Sequence, residues 1–436
     1  MQTLIYANRI LPPARPAARA ADRYNANFCT HTATPAPRTM SHLASFTADE
    51  RRAGISLAGV FALRMLGLFL ILPVFAIHAH EYTGGENRAL IGLALGAYGL
   101  TQALLHIPLG VLSDRIGRKP VIIGGLLVFF VGSVLAALAG DIHTVIIGRA
   151  IQGAGAISAA TTALAADLTR ETHRTRIMAM IGSSIALMFA LSMVAAPTLH
   201  ALFGMVGIFW ITAALALVAC VVVWKIVPEA PARTRSSAGA QWRQVWQNGQ
   251  LLRLNFGVFC LHLIQMSMWV LVPAALVASG LESAALWQVY LPAVLLSFLV
   301  MVPAVIVAET RGQMKSTLCA CIALIVIVQG GLHGLGHSAA WLTLWLTLFF
   351  AAFNVLEAIL PSWISRAAPA DAKGFALGLY GALQSCGLFL GGAAGGLLAR
   401  HFGAGAVYLA CALCGLLWLV LASGLRPPAR PAAKTV

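Results

Sequence analysis

Apolar runs of about 20 residues recur along almost the whole chain, and a run of that length, as a helix, crosses the hydrocarbon core of a bilayer. Twelve can be marked, and they are numbered here as spans 1 to 12: 54–78, 88–112, 119–139, 142–167, 176–200, 204–227, 254–279, 285–308, 315–334, 339–365, 373–398 and 403–425. A soluble fold would have to hide all of them. With 59% hydrophobic residues, 10% charged residues and a mean hydropathy of +0.84, the chain has too little polar surface for that, since a soluble domain carries about 25% charged residues. The chain therefore reads as an all-α membrane protein.

A polar stretch at 228–252, with Pro228, Pro231, Arg233, Arg235 and Arg243, divides the spans six and six. The second span of each half ends at a charged turn, Gly110 to Pro120 in the first half and Ala308 to Lys315 in the second, as an internal repeat would. The expected organisation is a 1–50 extension, a 51–227 bundle, a 228–252 linker, a 253–425 bundle and a 426–436 tail. Residues 1–39 are rich in Ala, Pro and Arg and lack the apolar core of a signal peptide. They read as a disordered cytoplasmic extension, with Met40 as an alternative start.

The sharpest local pattern is Gly110-Val111-Leu112-Ser113-Asp114-Arg115-Ile116-Gly117-Arg118-Lys119-Pro120. Gly110 brings an apolar helix close to a neighbour, Gly117 permits a turn conformation that other residues resist, and Pro120 suits the start of the next helix. Of the 29 Lys and Arg residues, all but Arg64, Arg88, Arg149 and Arg400 fall on the side of the membrane that holds this turn. Positive charge stays inside, so the turn and both termini are expected in the cytoplasm. The net charge of +15 thus reflects topology, and with the basic residues scattered over short loops no nucleic-acid partner is expected. Seven of the eight cysteines lie in apolar runs, which gives neither a disulfide framework nor a zinc site.

With its Gly, Asp, Arg, Gly, Arg and Lys in place, the turn resembles motif A of the major facilitator superfamily, and the likeness extends from Arg51 to about Leu425. Within that family the chain is similar to the YajR-like group of drug/proton antiporters, on Phe61 to Gly67, the turn, Asp167-Leu168-Thr169-Arg170-Glu171 and the run around Glu357. The resemblance implies two pseudo-symmetric six-helix bundles in a bacterial inner membrane, working as a monomer by alternating access. It also implies a cytoplasmic latch of Gly110, Asp114, Arg115, Gly117, Arg118 and Lys119. In that latch Arg118 meets Asp167 at the end of span 4, and Asp114 meets the start of span 11 at Gly374.

The family lines its cavity with spans 1, 4, 7 and 10, and each carries polar groups here: Arg64; Arg149 and Gln152; His262 and Gln265; Asn354 and Glu357. The last three pairs each sit three residues apart, on one helix face. Arg149 to Gly155 resembles the family's motif B, which is associated with proton coupling. An ionisable residue inside the bilayer is costly, and a carboxyl group there is favoured in its neutral form. Glu357 is thus the candidate proton carrier, with a structural acid bonded to Asn354 as the bland alternative. Arg64 and Arg149 stay charged and would fix a positive potential, hold a carboxylate or bind an anionic group. His106 reads as a packed histidine. His78, His80 and Glu81, and separately His333 and His337, lie at loop edges without a completing ligand set, so no metal is expected.

Pro197 follows Ser192 to Ala196 where motif C antiporters carry glycines, so that signature is only partly met. The leading expectation is proton-driven export of small, partly apolar compounds across the bilayer, with no cofactor beyond the proton gradient. The alternatives are a proton symporter importing an organic anion and a membrane sensor without transport. No phosphate-binding G-x-x-x-x-G-K-[ST] stretch and no nucleophile-base pair occur, which disfavours an ATP-driven pump and an enzyme.

Overall fold

The computed structural model describes residues 46–229, 243–335, 338–369 and 372–427. Residues 1–45 with Met40, most of the expected linker and the end of the tail lie outside the described residues. Among the described residues the regular elements are helices, and extended pairing is confined to one bridge between Thr83 and Asp141. Side-chain caps open several of them: Thr47 accepts from Glu50 N while Glu50 reaches back to Thr47 N, and Asn87, Asp141, Asn248 and Ser338 cap the helices that follow them.

Among the described residues nine helical segments are long and apolar enough to cross a membrane, and the places where the chain bends are consistent with twelve crossings. The segments Arg176–Lys225 and Lys373–Ser423 run 50 and 51 residues, about 75 Å if straight, far more than a bilayer needs. Each contains a glycine at positive φ, Gly204 at 64° and Gly403 at 80°. The neighbours prove that the chain turns back there. Ser184 donates to Ala58 O and Thr212 to Gly67 O, so residues 28 apart reach points on span 1 only nine apart. In the other half Gly391 packs on Leu263 and Trp418 on Gly257, so residues 27 apart reach points on span 7 only six apart, and spans 5 and 6 and spans 11 and 12 each form a hairpin. Span 4 is split into Ile142–Ala154 and Ser158–Asp167, pieces too short to count singly. Span 1 is likewise divided, into Ala48–Phe69 and Leu72–His78.

The halves meet along spans 2 and 11, where glycines let the two backbones touch. A methyl group at Gly92 would collide with Gly392 O, one at Gly96 would lie 2.7 Å from Phe389 O, and one at Gly99 would lie 2.6 Å from Ser385 O. This seam runs from Arg88 and Gly396 to His106 and Gly381. Toward the Gly110–Pro120 turn it opens, for Gly110 meets Ala159 of span 4, and Gly374 and Gly378 have open space beside them. Below, the end carrying that turn is called the turn end and the opposite one the far end. Phe189 of span 5 adds an edge-on contact to Trp269 of span 7 at 6.4 Å and to Phe350 of span 10 at 5.6 Å. Close packing of this kind, rather than escape from water, associates helices in lipid.

Candidate transport site

In the first half the buried polar groups converge on Tyr98 of span 2. Arg64, 1% exposed, donates to Tyr98 Oη at 2.6 Å and to Ser158 Oγ at 3.1 Å, and its guanidinium lies 5.8 Å from the Phe129 ring. Arg149 covers the Tyr98 ring at 5.3 Å, donates to Gln152 Oε1 at 2.7 Å and reaches Ala94 O at 3.4 Å. Gln152 in turn donates to Ser133 Oγ at 2.8 Å. Sequence reasoning named Arg64, Arg149 and Gln152 but missed Tyr98, Ser133 and Ser158, whose value lies in contacts between spans. Among the described residues no carboxylate lies within ion-pair distance of Arg64 or Arg149; their charge is spread over hydroxyl, carbonyl and aromatic partners.

In the second half Glu357 sits beside His262 of span 7 and Gln384 of span 11. Gln384 Nε2 donates to Glu357 Oε1 at 3.3 Å and lies 2.7 Å from His262 Nε2. His262 Nδ1 is 3.0 Å from Val258 O. A ring that accepts from an amide at Nε2 must carry its proton on Nδ1, so this network implies neutral His262 donating to Val258. Glu357 Oε2 lies 3.6 Å from His262 Nε2 and has no hydrogen-bond partner, although the side chain is 36% exposed. The Asn354 amide, offered from sequence as a partner for Glu357, turns away and donates to Ser297 Oγ of span 8 at 2.7 Å. Gln265 is buried one turn beyond His262. Gln384 was not singled out, though a lone Gln in the middle of an apolar span was a visible signal.

The turn is held by Arg118. Gly117 adopts φ 103° and joins the two helices, and Pro120 takes the third helical position of span 3 rather than the first. Arg118 donates to Ser113 Oγ at 2.6 Å and to Asp167 Oδ2 at 3.2 Å, and pairs with Asp114 at 2.5 Å. Asp114 is 56% exposed and engages Arg118 within its own half, whereas the expected partner was the start of span 11. The glycine seam has already parted at this end, which explains the difference. Lys119 pairs with Glu229 at 3.0 Å and Arg115 is exposed. Nearby, Glu50, 6% exposed in its side chain, binds Arg170 at 2.8 Å and His173 at 3.2 Å, and the hydrogen bond it accepts, aided by its charge, raises the Arg170 guanidinium above its ordinary pKa. This buried acid was also missed, because its sequence position at a helix start reads as a cap.

At the far end His200 lies against His78 and Glu81, a companion 119 residues away in sequence from Glu81. His333 Nδ1 donates to Gly405 O, 3.1 Å away, and His337 lies outside the described residues.

A sequence profile of the Major Facilitator Superfamily matches residues 57–355. The chain belongs to the major facilitator superfamily. It is a transport protein of that superfamily and not an enzyme. The inner membrane transport protein YajR of Escherichia coli strain K12 is 43% identical over 386 residues, 88% of this chain and 85% of that one. The class E tetracycline resistance protein of Escherichia coli is 32% identical over 151 residues, 34% of this chain and 36% of that one. The crystal structure of a bacterial homologue of the human lysosomal transporter Spinster, inward-facing and occupied, superposes with a TM-score of 0.70 at 12% identity. It covers 87% of this chain and 96% of its own, a likeness of fold.

Proposed function

We propose that this superfamily member exports small, partly apolar compounds in exchange for protons. The observation that carries the reading is the triad of Glu357, His262 and Gln384 in spans 10, 7 and 11. A carboxylate locked to arginine keeps its charge, but among the described residues Glu357 has no arginine or lysine paired with it, and a neutral amide and an imidazole lie beside it. A proton arriving on His262 Nε2 displaces the Gln384 amide and creates an ion pair with Glu357, so a single proton rearranges three spans. The tetracycline resistance relative supports efflux as the direction, and the name of the inner membrane relative supports that membrane. Lys and Arg placement supports a cytoplasmic turn end and cytoplasmic termini. With the glycine seam closed at the far end and parted at the turn end, the arrangement described corresponds on this reading to a carrier open to the cytoplasm.

The test is a panel of amphiphilic drugs and dyes in energised everted vesicles. Proton-driven accumulation of at least one compound is expected with the unaltered chain and is lost with Glu357→Gln. Full proton-coupled accumulation by Glu357→Gln excludes Glu357 as the coupling acid.

One observation favours a second reading. Arg64 and Arg149 are buried without a carboxylate partner among the described residues, as an anion-binding pair would be, and this motivates import of an organic anion with protons. Both modes draw protons inward, so the cargo decides: alkalinisation of the medium when an organic acid is added to intact cells supports symport, and alkalinisation coupled to efflux of a preloaded drug supports the first reading.

A further inference from the structure

We infer that His78, Glu81 and His200 bind one divalent transition-metal cation of the zinc class at the far end. The three come together through local geometry. His78 closes the helix Leu72–His78 and Glu81 closes the one-turn 3-10 helix Ala79–Glu81 that follows it, so a spacing of three puts both on one side. His200 arrives from span 5, four residues before the chain reverses at Gly204.

The donor atoms have the spacing of a metal site. Glu81 Oε1 lies 3.2 Å from His78 Nδ1 and 3.2 Å from His200 Nε2, and the three ligand atoms all fall within 4.8 Å of one another. Zinc bonds of about 2.0–2.1 Å in a tetrahedron separate neighbouring ligand atoms by about 3.3 Å. The two imidazoles are stacked at 3.5 Å between ring centroids with 26° between planes, which sets their nitrogens side by side; since imidazole lone pairs lie in the ring planes, binding the cation turns one ring out of the stack. Nitrogen donors with one carboxylate suit zinc, copper or nickel rather than magnesium or calcium.

The outer contact is that of a metal-bound histidine. His78 Nε2 lies 2.8 Å from Ser283 Oγ, and a ring that donates there presents the lone pair of Nδ1 to the cation. The side chains of His78 and His200 are 15% and 12% exposed and that of Glu81 40%, so the site is shielded but reachable from water, which supplies the remaining ligand position. Ser283 sits in the loop between spans 7 and 8, so the cation is tied through one hydrogen bond to the other half of the carrier.

The experiment uses the full chain purified without a polyhistidine tag, stripped with a chelator, and titrated calorimetrically with zinc chloride. One saturable equivalent is expected, and cobalt(II) should give visible bands of four-coordinate intensity. His78→Ala, His200→Ala and Glu81→Gln should each remove that equivalent, while Ser283→Ala keeps it and weakens it by about 10- to 100-fold, the usual effect of an outer-shell partner. His143→Ala, altered at an exposed histidine in the first turn of the helix Ile142–Ala154, should bind as the parent does. Metal-free melting temperature and gel-filtration profile establish that each variant is folded, and Glu81→Gln, which keeps the side chain's shape, decides the matter if a histidine variant is not. Absence of a saturable equivalent in the parent, or one that survives in the folded Glu81→Gln protein and in His78→Ala/His200→Ala, overturns the site and leaves a hydrogen-bonded His-Glu-His cluster.

Discussion

The Gln384 amide bridges Glu357 and His262, with Nε2 3.3 Å from the carboxylate and 2.7 Å from the imidazole. One neutral side chain therefore orients both groups that the proposed coupling uses. Gln384→Leu removes that clamp while fitting an apolar span. Since a hydrogen bond to a charged group contributes about 1.5–3 kcal/mol and 1.4 kcal/mol is tenfold in rate, proton-driven transport should fall about tenfold or more. Melting temperature should hold. Vesicle transport beside thermal unfolding checks this, and unimpaired transport removes Gln384 from the site.

Arg149 tests whether the first-half network is structural. Arg149→Met leaves Gln152 Oε1 without its donor and should destabilise the protein by about 1–3 kcal/mol. Arg149→Met/Gln152→Leu replaces both partners with apolar groups and should recover part of that loss, because an unpaired buried acceptor is worse than none. Chemical denaturation in detergent reads both. A double variant no more stable than the single one contradicts the pairing.

The glycine seam makes a spatial prediction. Gly92→Val forces a side chain into Gly392 and Gly396 and should part the halves at the far end. Gly374→Val enters open space. A cysteine placed at Ser283 should then react faster with a membrane-impermeant maleimide in the first variant and at the parental rate in the second. Equal rates in both reject the seam as the contact that closes this end.

Asp114→Asn separates holding the turn from binding cargo. The carboxylate is 56% exposed and Arg118 retains Ser113 and Asp167, so stability should change by no more than about 1 kcal/mol. Exchange of a transported compound should slow, while the concentration of that compound giving half its thermal shift stays unchanged. A loss confined to binding, with exchange intact, rejects a role in cycling.

Much of the fold was legible because a bilayer imposes a length on every apolar run, and the spans from Arg88 to Ser423 follow that rule closely. The turn was legible because Gly117 and the charges around it serve local geometry and topology. What escaped were partners chosen by packing between spans. Gln384 and Tyr98 are ordinary residues in their own helices, and only the juxtaposition of spans 7, 10 and 11, or of 1, 2 and 4, gives them a role. The pairing of Asn354 with Ser297, where Glu357 was expected, has the same origin: sharing a helix face does not decide which neighbouring helix a side chain reaches. His200 shows it again, since its companions His78 and Glu81 were visible and it was not.

The break in span 4 falls at Gly155, Ala156 and Ile157, between the residues that line the interior and the one that holds the turn. Arg149 and Gln152 belong to the piece above it and Asp167 to the piece below. An uninterrupted helix transmits a tilt along its whole length, but one missing hydrogen bonds at its centre bends there readily. Span 4 is therefore two short rods meeting at a joint. The lower one carries Asp167 against Arg118 and the membrane-surface turn, while the upper one holds the buried arginine and glutamine beside Tyr98.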